Sequence, residues 1–284
     1  MFAIIGMLVV TGSVIGGYLM VKGNLALLFQ PAEFVIIFGA AIGGFLIASP
    51  PKVTAMVAKN IARIFTGKTP TKAKYLELLT LLYQLFSKIR KEGLISLEAD
   101  VEAPAKSPLF KKYSNVLKDH HLMDFICDNL KLIITTNIPP HELDNLMEIE
   151  METHHTNELI PAGSFNKVAD ALPGLGIVAA VLGVVITMQY VDSPPAILGN
   201  KIAAALVGTF LGVLLCYGYV GPMAANLEHQ VREDSVSYNV IRVSLIAFVG
   251  GAAPQISVEF GRRAIPGKEK PGFSELEKAI RGSK

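Results

Sequence analysis

Two long runs of the chain contain no Asp, Glu, Lys, Arg or His. ALPGLGIVAAVLGVVITMQYV begins at Ala171, IAAALVGTFLGVLLCYGYVGPMAAN begins at Ile202, and the polar turn DSPPAILGNK joins them. About 20 helical residues at 1.5 Å each cross a hydrocarbon core of about 30 Å, so either run is long enough to span a bilayer. Together they read as a transmembrane hairpin. Gly174, Gly176, Ala179, Ala180 and Gly183 on the first run, and Ala203, Ala204, Ala205, Gly208 and Gly212 on the second, allow the close backbone approach that membrane helix contacts favour.

Composition agrees: 51% of the 284 residues are hydrophobic and 18% charged, the balance of an integral membrane protein and not of a soluble enzyme. A net charge of +2 gives no reason to expect a nucleic-acid partner. Cys127 lies in a soluble-looking stretch and Cys216 in an apolar run, which argues against a disulfide framework. Without tryptophan, interfacial anchoring falls to Tyr18, Tyr190, Tyr217 and Tyr219.

Met1 to Val21 is also apolar, but it lacks the basic start and small-residue exit of a signal peptide, and a further apolar run, Phe34 to Pro51, follows closely. A retained first membrane hairpin over 1–51 is therefore expected, with Gly12/Gly16 and Gly39/Gly43 spaced for helix contact. Glu33, beside Pro31, is expected at the outer bend as an interfacial residue, with ion entry as the alternative. Lys52, Lys59, Arg63, Lys68, Lys72 and Lys74 precede the next acid, Glu77, whereas the turns carry only Lys22/Glu33 and Asp192/Lys201. The positive-inside rule then puts 52–170 and both termini in the cytoplasm.

Region 52–170 reads as helical. Leu78, Leu81, Leu82, Leu85, Phe86 and Ile89 follow i, i+3, i+4 spacing, and Gly93 closes the helix after a basic last turn. Ser96 is an expected N-cap. A helix is expected through LMDFICDNLKLIIT, and another, with a solvated charged face, from Pro139-Pro140. Beyond Leu227 the second span is expected to continue as a charged helix. SLIAFVGGAAP (244–254) is too short to cross and should pack against the domain, and the tail after Pro266 is expected to be mobile. The fold class is an all-α membrane protein: four transmembrane helices in two hairpins, 1–51 and 171–226, with a helical cytoplasmic domain at 52–170 and a helical extension and tail at 227–284.

Chemical motifs are sparse. Gly174-x-Gly176-x-x-Ala179 matches a dinucleotide fingerprint, but that motif needs a preceding strand in a water-exposed unit, so tight helix packing is the expected use. His120-His121, His141 and His154-His155 lack a spaced ligand set, although Glu150 and His154 share a helix face. No enzyme motif occurs. Thr187, Gln189, Tyr190, Thr209 and Tyr217 are the polar groups of the paired spans, serving backbone bonding or a polar path. Pro173 and Pro222 lie at their cytoplasmic ends, as hinges or as helix boundaries. With no ionisable group in these spans, an ion conductor built on them needs a carboxylate from another chain.

The runs DALPGLGIVAAVLGVV and AAALVGTFLGVLLCYG, Gly221-Pro222, the segment IRKEGLISLEADVE and the later ISVEFGRR resemble the MotA family of flagellar motor stator subunits, within the MotA/TolQ/ExbB superfamily, over essentially the whole chain. The resemblance implies that Arg90 and Glu98, with Glu150, face the rotor protein FliG. It implies that Pro173 and Pro222 couple ion passage to conformational change, and that Thr209, with Ala180 and Tyr217, lines the ion path. The partner is MotB, which brings the membrane aspartate, and the implied assembly is a pentamer around two MotB helices in the bacterial inner membrane. The transported ion is H+ in preference to Na+, with no cofactor, metal or nucleic acid. An ExbB/TolQ-type energy transducer and, further off, a small-molecule permease are the alternatives.

Overall fold

The computed structural model describes residues 2–67 and 70–282. Met1 of the first apolar run, Lys68 of the basic flank, and Ser283 and Lys284 of the tail lie outside the described residues. Among the described residues, ten helices have ten residues or more: α1 (Phe2–Met20), α2 (Pro31–Ala48), α3 (Pro51–Thr66), α4 (Lys72–Glu92), α5 (His120–Thr135), α6 (Pro140–Thr187), α7 (Pro195–Leu214), α8 (Gly221–Val249), α9 (Pro254–Ala264) and α10 (Phe273–Gly282). No strand occurs among the described residues, and the all-helical expectation holds. Among the described residues, four stretches are long and apolar enough to cross a membrane: Phe2–Met20, Leu25–Ala48, Pro140–Tyr190 and Pro195–Val249. The chain divides into two compact units, Met1–Gly67 with Glu158–Gln230, and Lys68–Asn157 with Val231–Lys284.

In the first unit, glycines set the contact of α6 with α7. A Cβ on Gly176 would lie 2.6 Å from the Gly208 carbonyl oxygen, and one on Gly212 would lie 2.5 Å from the Leu172 carbonyl oxygen and 2.9 Å from Gly176 Cα. Backbone touches backbone there, and any side chain would part the helices. The glycines of the N-terminal runs behave differently. A Cβ at Gly12, Gly16, Gly39 or Gly43 would meet nothing within 4 Å, and α1 buries no residue, so the spacing read as a helix contact packs against nothing among the described residues. α1 is held instead by Thr11, whose hydroxyl donates to the Met7 carbonyl at 2.8 Å and lies 2.7 Å from the Tyr219 hydroxyl. Its one proton committed, Thr11 accepts from Tyr219.

Neither Pro173 nor Pro222 ends its helix. Pro173, like Pro161, lies inside α6. Ahead of Pro222 the chain widens into a π-helical turn over Leu215–Val220, where the Gly221 amide donates to the Cys216 carbonyl, five residues back. The cause is local: Pro222 has no N–H for the Gly218 carbonyl, and its ring would crowd that oxygen, so an expanded turn absorbs the mismatch. The helix-boundary reading of these prolines falls away.

The second unit is built on α4. All six apolar positions of its periodic stripe, Leu78, Leu81, Leu82, Leu85, Phe86 and Ile89, are buried, and Gly93, at φ 85°, closes the helix through its amide on the Ile89 carbonyl at 2.8 Å. Phe86 stacks on Phe248 of α8 with centroids 4.5 Å apart, so SLIAFV ends a helix packed in this core. Three local expectations change. Ser96 does not cap: its hydroxyl turns back to the Gly93 carbonyl at 2.7 Å, and Leu97 precedes the short helix Glu98–Glu102. The acidic face of α6 is not wholly solvated, because Arg242 reaches Asp144 at 2.6 Å and Glu148 at 3.4 Å. The stretch after Pro266 is no mobile tail, since α10 buries Leu276 and Ile280 and Lys72 pairs with Glu275 at 3.0 Å.

Glu259 of α9 is gripped at 2.7 Å by both Nε and Nη2 of Arg262 and at 2.9 Å by Arg263. The Arg262 bonds come first in holding its carboxyl below the usual carboxylate range, with burial opposing them. A depressed folded pKa stabilises the protein above the unfolded value and is lost as pH falls through the folded one. Glu259→Gln should therefore cost about 1 to 2 kcal/mol near neutral pH, as loss of a charged hydrogen-bond pair does, with the gap to wild type closing below about pH 4. Thermal unfolding followed by far-ultraviolet circular dichroism at several pH values checks this.

Candidate ion path and charged face

Where α6 and α7 touch, a third element enters. A Cβ on Gly208 would lie 2.5 Å from Glu33 Oε2, 2.9 Å from the Ala180 amide nitrogen and 3.0 Å from Ala179 Cβ; one on Gly183 would lie 3.5 Å from Glu33 Oε1. Glu33 is only 7% exposed, and its buried Oε2 has no hydrogen-bond partner among the described residues. The sequence placed this residue at an outer bend. The short helix Leu25–Leu28 and the proline start at Pro31 instead set Glu33 in the first turn of α2, its carboxyl turned onto α6 and α7. Gly208 lies seven residues past Lys201, about 10 Å further along α7 at 1.5 Å per residue, so the carboxyl sits against the apolar run.

Of the expected path residues, Ala180 is buried here and Thr209, half-buried, follows Gly208 directly. Thr187 is buried and spends its hydroxyl on the Gly183 carbonyl at 2.8 Å, which assigns it to backbone bonding. Tyr190 lies under Lys201, whose Nζ is 4.7 Å from the ring centre. Tyr217 and Pro222 come together elsewhere, in an open groove of about 350 Å³ shared with Phe2, Met7 and Val10 of α1. Pro173 adjoins Leu172, whose carbonyl faces Gly212.

The charged candidates belong to the second unit. Arg90, in the last turn of α4, is exposed and donates to the Gly251 carbonyl at 3.3 Å. Glu98 is exposed at the start of Glu98–Glu102, where the helix dipole favours an acid. Glu150 accepts from Asn129 of α5 at 3.3 Å; partial burial raises its pKa, the Asn129 bond acting against this and the Asp128 charge with it. Among the described residues, no hydrogen bond or ion pair joins Glu150 to Arg90 or Glu98. His154 faces the Tyr238 hydroxyl at 3.2 Å, and His155 faces Ser235 at 2.9 Å. Among the described residues no group of three or more His, Cys, Asp or Glu could hold a metal, and the glycine fingerprint falls within helix α6, with Gly176 at the crossing.

Sequence reasoning missed Glu33 as a partner of the paired spans, Pro161 within α6, and the Thr11–Tyr219 bond. Only for Glu33 was there a signal, a proline helix start two residues before an acid in an apolar run.

The MotA/TolQ/ExbB proton channel family model matches residues 117–239, and the motility protein A N-terminal model matches residues 4–93. Motility protein A of Escherichia coli is 45% identical over 284 residues, spanning 100% of this chain and 96% of its own, and chemotaxis protein LafT of Vibrio parahaemolyticus is 38% identical over 96% of each. The chain belongs to the motility protein A family, the flagellar stator subunits of that wider group. Its fold matches MotAB of C. jejuni with a TM-score of 0.79 at 18% identity, covering 95% of this chain and 98% of that one. It matches the flagellar MotAB stator complex of Bacillus subtilis with a TM-score of 0.72 at 23% identity, covering 90% and 92%.

Proposed function

We propose that this stator subunit crosses the bacterial inner membrane four times, in hairpins 1–51 and 171–226. Region 52–170, the extension 227–284 and both termini lie in the cytoplasm. It works with a MotB partner that supplies a membrane aspartate, as a homo-oligomer, a pentamer around two MotB helices. Protons in preference to sodium drive the complex, and Arg90, Glu98 and Glu150 act on FliG of the rotor.

One observation carries the reading: α6 and α7 meet backbone to backbone along faces without an ionisable side chain, and Ala180 and the Gly208–Thr209 step lie in that contact. Such a surface guides an ion only when a titrating group lies against it. Pro173 lies within α6, and the widened turn ahead of Pro222 directly follows α7; these are the places where ion passage bends the chain. The driving force is adequate, since one elementary charge crossing 100 mV releases about 2.3 kcal/mol.

Co-expression with the partner tests the reading. The two chains should co-purify from membranes, and swimming speed should follow the proton gradient and stay constant when sodium is varied at fixed proton motive force. Speed that tracks sodium would overturn the choice of ion. Purified chain that conducts alone in vesicles would overturn the need for a partner.

A further inference from the structure

We propose that Glu33 is a proton-carrying residue of the ion path, receiving the proton on the side of the Lys201 turn and passing it toward the partner's carboxylate across the α6–α7 contact. This rests on the ion-path reading above and adds to it a carboxyl from this chain's own α2.

Three observations on the structure converge. Glu33 is more than nine-tenths buried and one carboxyl oxygen is without a partner among the described residues. An ionised carboxylate so placed costs several kcal/mol, and a proton removes that cost. The space is built for it, because Gly208 leaves open the volume that Oε2 enters, where a methyl group would strike it, while Gly183 lies in ordinary contact distance of Oε1. The place is right, since Ala180 and the Gly208–Thr209 step are the same contact.

Charged neighbours are few. From Ala171 to Val191 and from Ile202 to Asn226 the helices bring no Asp, Glu, Lys, Arg or His, and their weakly acidic groups are Tyr190, Cys216, Tyr217 and Tyr219; Asp192 and Lys201 stand at the joined ends, and Lys22 precedes Glu33 on its own side. The notch is lined by glycine and alanine, and hard metal cations bind through about six oxygen ligands. One carboxyl suits a proton. The step balances simply: as the proton leaves hydronium, an O–H bond forms on the Glu33 carboxylate, and on release the bonding pair stays with Glu33, restoring the carboxylate.

The test uses the co-purified complex in vesicles, with a potassium diffusion potential outside, a pH-sensitive dye inside, and a matched sodium dye in a parallel arm. Glu33→Gln keeps the shape and cannot carry the proton; it should lower proton flux about tenfold, equivalent to 1.4 kcal/mol on the barrier, with normal recovery of the complex. Glu33→Asp should retain flux with a displaced pH profile. Wild-type flux in Glu33→Gln overturns the inference, as does an unchanged profile in Glu33→Asp, which decides the matter should the glutamine variant not assemble. A Glu33-dependent sodium flux without proton flux also overturns it. A wild-type complex that passes neither ion defeats the ion-path reading itself.

Discussion

Gly212→Val should cut the recoverable membrane complex about tenfold, the equivalent of about 1.4 kcal/mol. A Cβ at this position would lie 2.5 Å from the Leu172 carbonyl oxygen, 2.9 Å from Gly176 Cα and 3.2 Å from the Gly176 amide nitrogen. All three are backbone atoms, so no flexible side chain can swing aside. α6 and α7 must separate, and overpacking of this kind costs about 1 to 3 kcal/mol. In a bilayer the loss is not recovered by burying apolar surface, because lipid is as apolar as the helix and association depends on packing. Gly16→Val is the matched control: a Cβ there would meet nothing within 4 Å, so the same side chain leaves the subunit's own fold intact. Immunoblots of membrane fractions and size-exclusion of the purified complex give the ratio. Wild-type recovery of Gly212→Val would mean that the glycine contact is not what holds the paired helices.

That contact was legible in the sequence, and Glu33 was not, for one physical reason. Small residues at helical spacing inside a charge-free run have few uses besides close approach, so Gly176 and Gly212 could be read from position alone. Gly12/Gly16 and Gly39/Gly43 show the limit of the same rule, since spacing says that a face can pack closely and does not say against what. The place of Glu33 depends on where α2 starts relative to a second hairpin about 150 residues away, which is a tertiary fact. Local charge pointed to the bend, and tertiary packing put the carboxyl in the notch. The stripe of α4 was readable because amphipathic spacing fixes a buried face, whereas Leu276 and Ile280 lie in a stretch rich in proline, glycine and charge. Composition there resembled a solvated tail, and two apolar residues four apart were enough to seat one short helix.

Sequence alone left Pro222 as either a hinge or an end. The π-helical turn before it shows a helix that continues with one stretch of its ladder rearranged, the form in which a long helix can change its bend without breaking. α8 follows that turn and runs on to Phe248, which stacks on Phe86.

Reversing both charges, Arg90→Glu with Glu98→Lys, should lower swimming speed about tenfold while recovery of the complex stays within about twofold of wild type, a split that no folding defect produces. Both side chains are exposed, and the single bond from Arg90 to the Gly251 carbonyl at 3.3 Å is a weak tether, so the second unit loses little. Exposed ion pairs are worth about 0 to 1 kcal/mol each. Reversal replaces attraction by repulsion and about doubles the swing per position, so two positions reach the 1.4 kcal/mol that corresponds to a factor of ten. Weak pairs of this size suit a contact that forms and breaks at every step, and added salt should slow the wild type by screening them. The control is the exposed pair on α10, Glu277 and Arg281, at 2.6 Å; reversing both of these preserves the local pair and should leave speed unchanged. Reversed charges on the rotor partner should restore part of the lost speed. If the double variant swims normally, or disappears from the membrane, the torque contact does not lie at Arg90 and Glu98.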